Sequence, residues 1–246
     1  MRCIVVYVGL RHDIDNEWAI LKGVPKIIAL EKKYNVKSTF FTRVDALKNE
    51  RSRNYLLSLQ DEGWEIALHL INTINSPDYP PASKELETLR SFGFKVYGVS
   101  PCGKTIGFKG EKTWRVMDTL GLDYMCGYNT PIEGIKTFVM PNHLSFDIHY
   151  IRKYGEVDGY KRFIADLDSQ ILQNDYATVL VHPEWFVRSV GKQVDSLFMY
   201  RMYKILYTIL KKNLMPGVYE RFLKYGLSKN YEFMPYIKLK TKIQSQ

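Results

Sequence analysis

The 246-residue sequence predicts an α/β fold, a distorted seven-stranded (β/α) barrel with a C-terminal helical extension. Three observations predict it. Short β-branched or aromatic runs alternate with segments of helical period, which is the rhythm of βα units and a mainly parallel sheet. With 46% apolar and 14% aromatic residues the chain can bury one large core, at a length that α/β barrels reach as single domains. Polar side chains recur where the apolar runs end, the place at which ligands gather in such sheets.

The strands are expected at Cys3 to Val8, Lys37 to Thr42, Glu65 to His69, Lys95 to Ser100, Tyr124 to Gly127, Lys136 to Met140 and Ala177 to His182. Helical periods lie between them, around Val24 to Tyr34, Ser52 to Glu62, Ala82 to Phe92, Gly110 to Leu120 and Tyr160 to Asn174. Gly63, Gly93 and Gly121 each follow a helix, where a glycine takes the left-handed conformation that ends it. Periodicity alone fits an open doubly wound sheet as well as a barrel. The polar residues decide between them: Asp13 and Asp15 follow the first strand, His69 ends the third, Ser100 and Pro101 end the fourth, and His182 ends the last. Groups from strands so far apart meet most readily on a barrel axis.

Beyond Val194 a long Tyr-, Met- and Lys-rich helix is expected through Leu214, then a helical piece from Gly217 to Tyr225. The tail ending KLKTKIQSQ is basic and expected to be mobile. Residues 1–246 are therefore read as a single barrel domain with 187–246 as a helical elaboration packed on it.

The formal charge of +9 is spread along the chain and comes with no RRM, KH or zinc-finger pattern, so no nucleic-acid partner is expected. Cys3, Cys102 and Cys126 have no CxxC spacing, which argues against a disulfide framework and suits a reducing, cytoplasmic setting. The opening MRCIVVYVGL reads as a strand rather than a secretory signal, and no run approaches the roughly 18 apolar residues that span a bilayer. Peripheral membrane contact is open for the basic, Tyr-rich stretch Phe198 to Lys212, although a core-facing helix fits the pattern better.

Chemistry is concentrated in three segments. In LRHDIDNEW, residues 10 to 18, two carboxylates one residue apart in extended chain project to the same face, so Asp13 and Asp15 share one site; a charged turn capping the next helix fits equally well. EGWEIALHLINTIN delivers His69 at a strand end, followed by Asn72, Thr73 and Asn75. Imidazole and carboxylate are natural ligands of zinc and similar ions, although a lone strand-end histidine is more often structural. ATVLVHPEW ends a buried strand in His182, and the proline after it stops further ladder pairing.

RHDID, STFF, EIALH, GVSPCG and LVHP occur in this order and at these distances, and TWRVMDTLGLDYMCGY lies between the last two. Over roughly residues 3 to 186 the chain resembles the polysaccharide deacetylases, the NodB homology or carbohydrate esterase family four. The resemblance implies a catalytic base at Asp13, a metal ligand at Asp15 and a second ligand at His69. It places a histidine acting on the leaving group at His182. Where the family has a second metal histidine this chain has Thr73, and where it has an arginine orienting the base this chain has Ser100, followed by Pro101.

A divalent ion, zinc by ligand type, would keep two protein ligands from Asp15 and His69, one short of the usual three. Thr73 is the expected third, with Asn72 or Asn75 as other oxygen donors and His143 and His149 of PNHLSFDIHY as candidates from a neighbouring loop. His149 is also expected as a wall of the site, unless it is an ordinary surface or core histidine. Ser100, Pro101, His149 and Trp185 are the expected substrate contacts, and Tyr79 with Pro80 and Pro81 offers further apolar surface for a sugar ring. The implied activity is metal-dependent removal of an N-acetyl group from an amino sugar, the substrate a carbohydrate. The alternatives are a metal-poor relative that binds carbohydrate without hydrolysing it, and hydrolysis of a different C–N bond on the same barrel.

Overall fold

A computed structural model of the chain describes residues 6–128, 131–141, 144–188 and 214–245. The chain runs β1 (Val6–Ile14), α1 (Val24–Lys33), β2 (Thr39–Thr42), α2 (Glu50–Asp61), β3 (Glu65–Leu70), α3 (Ala82–Ser91), β4 (Gly98–Pro101), α4 (Glu111–Asp118) and β5 (Tyr124–Cys126). It continues with β6 (Phe138–Met140), β7 (Leu144–Ser145), a wide helical turn Phe146–Ile151, α5 (Arg152–Tyr154), α6 (Glu156–Asn174) and β8 (Tyr176–Val181). Residues 214–245 add α7 (Leu214–Ser228), β9 (Tyr231–Met234) and α8 (Tyr236–Gln244).

All described strand pairs are parallel, in the order β6-β5-β4-β3-β2-β1-β8-β7, with β9 added to β1. The sheet curls into a half-barrel, and among the described residues no ladder joins β6 to β7. Among the described residues nine strands stand where seven were expected. The two additional ones, β7 and β9, are two and four residues long and carry no long apolar run to announce them.

The strands alternate strictly between two apolar layers. From β1, Val8, Leu10 and Ile14 pack outward into the large core shared with the helices, as do Phe40, Ile66, Leu68, Val99, Met125, Val179 and Val181. Phe41, Ala67, Tyr124, Cys126 and Met140 form a second cluster inside the barrel. The period of two along a strand dictates this split, and it sends Arg11, Asp13, His69, Ser100 and His182 to the inner side.

The first strand runs six residues further than its expected end at Val8, through Arg11 and Asp13 to Ile14. The charged residues that made it look finished lie inside the barrel and pair with each other, which lets the ladder continue. That length lets β1 serve two neighbours on one edge: β9 pairs Val6 to Gly9, and β2 pairs Arg11 to Ile14. Behind β1, the buried Glu31 carboxylate binds His12 Nε2 at 2.9 Å, Ser38 Oγ at 2.8 Å, Trp64 Nε1 at 2.5 Å and Tyr219 Oη at 2.8 Å, tying α1 to β1, β3 and α7.

The basic tail is ordered rather than mobile. Its helix α8 closes the N-terminal mouth of the barrel, burying Tyr236 and Leu239 in the inner cluster. Burial of two such side chains contributes about 1.5–3 kcal/mol each. Tyr236 N–H donates to Thr39 Oγ1 at 2.8 Å, and Ile237 N–H donates to the buried Glu65 at 3.0 Å. Gly9 makes this docking feasible, because a Cβ there would meet Leu239 at 2.6 Å and Tyr236 at 2.9 Å. Residues 214–245 thus supply a strand and a lid to the barrel as well as helix. Most of the expected helix Val194 to Leu214, and the stretch Phe198 to Lys212, lie outside the described residues. No described helix is long and apolar enough to cross a membrane.

Candidate active site

At the opposite, C-terminal mouth of the sheet is a cavity of about 250 Å³ whose walls include Asp13, Asp15, His69, Lys104, His149 and His182. Asp13, His69 and His182 stand on the inner parity of β1, β3 and the end of β8. Asp15 continues the parity of Arg11 and Asp13 just past the strand. Four of the residues singled out in the sequence, Asp13, Asp15, His69 and His182, therefore come together as expected.

Asp13 is 4% exposed, and the guanidinium of Arg11 grips both its oxygens, Nε to Oδ1 at 2.6 Å and Nη2 to Oδ2 at 2.8 Å. The same Nη2 donates to Ser100 Oγ, and the guanidinium carbon lies 4.5 Å from the centre of the Phe41 ring. Burial pushes the Asp13 carboxyl up, but Arg11, followed by His69, outweighs it and holds the group well below the usual carboxylate range. Asp13 is an anion at neutral pH.

On the other wall, His182 Nδ1 is 2.9 Å from Asp147 Oδ2, which also accepts the His182 backbone N–H at 2.5 Å. Burial lowers the imidazole, but the charge and hydrogen bond of Asp147 outweigh this and raise it to about 9. His182 is a cation at neutral pH with its Nδ1 proton held by Asp147. His69 goes the other way: burial, outweighing Asp13 and Asp15, lowers it and favours the neutral ring. Its Nε2 lies 3.7 Å from Asp13 Oδ2 and 3.7 Å from Asp15 Oδ1, beyond hydrogen-bond range of both.

Several expected residues stand elsewhere. Thr73 does not join the ligands, because its hydroxyl donates to the Gly107 carbonyl at 2.5 Å. Asn72 is spent on the loop after β3, where its Nδ2 donates to the carbonyls of Ser76, Tyr79 and Pro80, and Asn75 accepts the Ala82 N–H at the start of α3. Ser100 holds Arg11 rather than lining the cavity, and Pro101 is buried opposite Leu70 in the ladder. Trp185 is carried outward by the turn Pro183–Phe186 and packs on the helical layer, 5.6 Å from the Arg152 guanidinium. His149 is exposed at the rim of the cavity. His143 lies outside the described residues.

Four site residues were not foreseen. Arg11 and Cys102 carry a signal in hindsight, since each continues the inner parity of a chosen residue, Asp13 and Ser100. Asp147 and Lys104 carry none, because they come from a wide helical turn and a loop whose paths strand period does not set. Cys102 Sγ is 3.6 Å from Asp15 Oδ1, and Lys104 Nζ is 2.5 Å from Asp15 Oδ2 and 3.8 Å from Glu184 Oε1.

The donors present fit a divalent ion. A carboxylate, an imidazole and a thiol, from Asp15, His69 and Cys102, bring their ligand atoms within 4.8 Å of one another. This oxygen, nitrogen and sulfur set suits zinc-like ions.

Among solved structures, one similar fold is a polysaccharide deacetylase from Mycobacterium smegmatis, so described provisionally, at TM-score 0.64 and 14% identity over 98% of this chain and 90% of that one. An allantoinase aligns at TM-score 0.62 and 14% identity, covering 96% and 89%. A family 4 acetyl xylan esterase from Clostridium thermocellum, solved with a cobalt ion, aligns at TM-score 0.53 and 14% identity, covering 96% and 90%. No protein-family model matches the sequence. No curated protein matches it either.

Proposed function

Because the chain has the fold of the carbohydrate esterase family four deacetylases, we propose that it is a hydrolase of an amide C–N bond that removes the N-acetyl group from an amino sugar. The observation that carries this reading is the placement, on one cavity, of the Asp13 carboxylate gripped by Arg11 and the His182 imidazole held by Asp147. Amide hydrolysis needs both at once, a base for the attacking water and an acid for the departing amine.

Asp13 accepts the proton of the water, its carboxylate aimed and kept ionised by Arg11. The same pairing makes it a weak base by itself. Asp15, His69 and Cys102 would hold a divalent ion, zinc by donor type, and such an ion would supply Lewis acidity toward water and the carbonyl oxygen. Lys104 places its ammonium at the cavity wall, where a developing negative charge is stabilised. His182, oriented by Asp147 through its Nδ1, gives its Nε2 proton to the leaving nitrogen. His149 at the rim is the substrate contact retained from the expected set. Two buried free thiols, Cys102 and Cys126, are consistent with a reducing, cytoplasmic setting.

The test is acetate release from N-acetylated amino-sugar oligomers by the purified chain supplied with zinc or cobalt. Wild-type turnover that falls at least a hundredfold in Asp13→Asn and in His182→Ala supports the reading. Wild-type protein that binds these sugars and releases no acetate defeats it. One observation favours the second reading, a carbohydrate binder without hydrolysis: the Lys104 ammonium pairs with Asp15 at 2.5 Å and balances its charge.

A further inference from the structure

The two oxygens of Asp15 face different partners. Oδ2 carries the Lys104 ammonium at 2.5 Å, whereas Oδ1 faces His69 Nε2 at 3.7 Å and Cys102 Sγ at 3.6 Å. These two edges have a specific size. A tetrahedral ion with bonds of about 2.0–2.3 Å holds its donors about 3.3–3.8 Å apart. Two edges of the triangle meet that requirement, and the ligand atoms of all three residues lie within 4.8 Å of one another.

We propose that Cys102 is a metal ligand, and that Asp15 Oδ1, His69 Nε2 and Cys102 Sγ form a three-donor site for one divalent cation of the zinc or cobalt class. Cys102 thereby takes the place left by Thr73, from a different strand. The oxygen donors expected from the loop after β3, on Asn72, Thr73 and Asn75, are all engaged elsewhere. Cys102 stands two residues beyond Ser100, with its backbone N–H held by the Leu70 carbonyl at 2.8 Å, so its side chain is delivered beside the end of β3. Burial raises the Cys102 thiol to about 11, and the Arg43 guanidinium, 3.7 Å from the sulfur, opposes that rise only in part. Lys104 and the ion do not compete for one oxygen, and the ammonium fixes the carboxylate so that Oδ1 keeps its direction. As the sulfur–metal bond forms, the thiol proton leaves to solvent, so binding releases one proton per ion. This deepens the deacetylase reading by naming its cation site, but it stands on donor geometry and needs no substrate.

Cobalt(II) alone is the probe, added to full-length protein stripped with a chelator. The expected result is one ion per chain with an intense near-ultraviolet thiolate-to-cobalt band. Cys102→Ser should lose the band and bind at least tenfold more weakly, whereas Cys102→His should keep the ion and lose the band. The wild-type spectrum is read first, so the proposal stays testable even if a variant fails to fold. Wild-type protein that binds no cobalt, or binds it without the band, overturns the proposal, as does a band that survives in Cys102→Ser. Failure of the deacetylase reading has a different signature, namely an intact band and no acetate release.

Discussion

Arg11 and Asp13, two residues apart on one strand, form a buried two-point ion pair whose guanidinium also reaches Ser100 on β4. The pairing follows from strand period, which turns both side chains to the barrel interior. It also answers the absence of an arginine at position 100. The guanidinium reaches the carboxylate from within β1, and the small Ser100 leaves room for it.

Arg11→Met leaves Asp13 as a buried, unpaired charge and should cost about 3–5 kcal/mol in urea denaturation. The double change Arg11→Ser with Ser100→Arg should recover a large part of that loss by approaching Asp13 from the other strand. If the double variant is no more stable than Arg11→Met, the two positions are not interchangeable sources of the guanidinium. Because the Asp13 pKa is lowered in the fold, its stabilisation is present above the ordinary carboxylate value of about 3.9 and is lost as pH falls toward the folded value.

His182 gives the opposite pH dependence. Its folded pKa is raised to about 9, so the stability it contributes is fully present below its ordinary value of 6.5 and is lost as pH rises through about 9. The contribution is on the order of 3 kcal/mol. Asp147→Asn should remove most of it, flattening melting temperature between pH 6 and 9 and moving the alkaline limb of activity down toward about 6.5. An unchanged alkaline limb would mean that Asp147 does not set the protonation of His182.

Glu31 binds four buried groups, on β1, on α7 and just before β2 and β3. Glu31→Ala strands all of them and should destabilise the fold by at least 3 kcal/mol, or prevent its accumulation. Glu31→Gln retains one accepting oxygen and should cost less, as thermal unfolding of the two variants would show.

Gly9→Ala tests the lid at the lower mouth. A methyl group there would collide with Leu239 and Tyr236, so α8 must shift, at about 1–3 kcal/mol. Amide exchange in residues 236–244 should quicken before exchange in β1 does. Equal protection in wild type and variant would show that α8 is not seated against Gly9.

Much of the site was readable because strand period is local. Asp13, Asp15, His69 and His182 each end an apolar run, and alternation alone turns them inward together. Pro101 stays in the ladder opposite Leu70, one residue off the inward parity of Ser100, whereas Thr73 and Trp185 were misplaced for the converse reason. Loops bend away from the strand axis, and a hydroxyl takes whatever carbonyl is near, as Thr73 takes Gly107.

The sequence by itself determined the alternation of strand and helix, the inner parity of the acids and histidines, and the end of the sheet at which they gather, since all three follow from spacing along the chain. Only the tertiary structure decided that Arg11 rather than position 100 holds Asp13, that Cys102 rather than Thr73 faces Asp15 and His69, and that the basic tail closes the barrel. The last two relations join residues tens to hundreds of positions apart, and the first turns on the space left by Ser100, 89 positions from Arg11. Which distant partner fills a given space depends on side-chain volume and hydrogen-bond demand in three dimensions, quantities that no local period encodes.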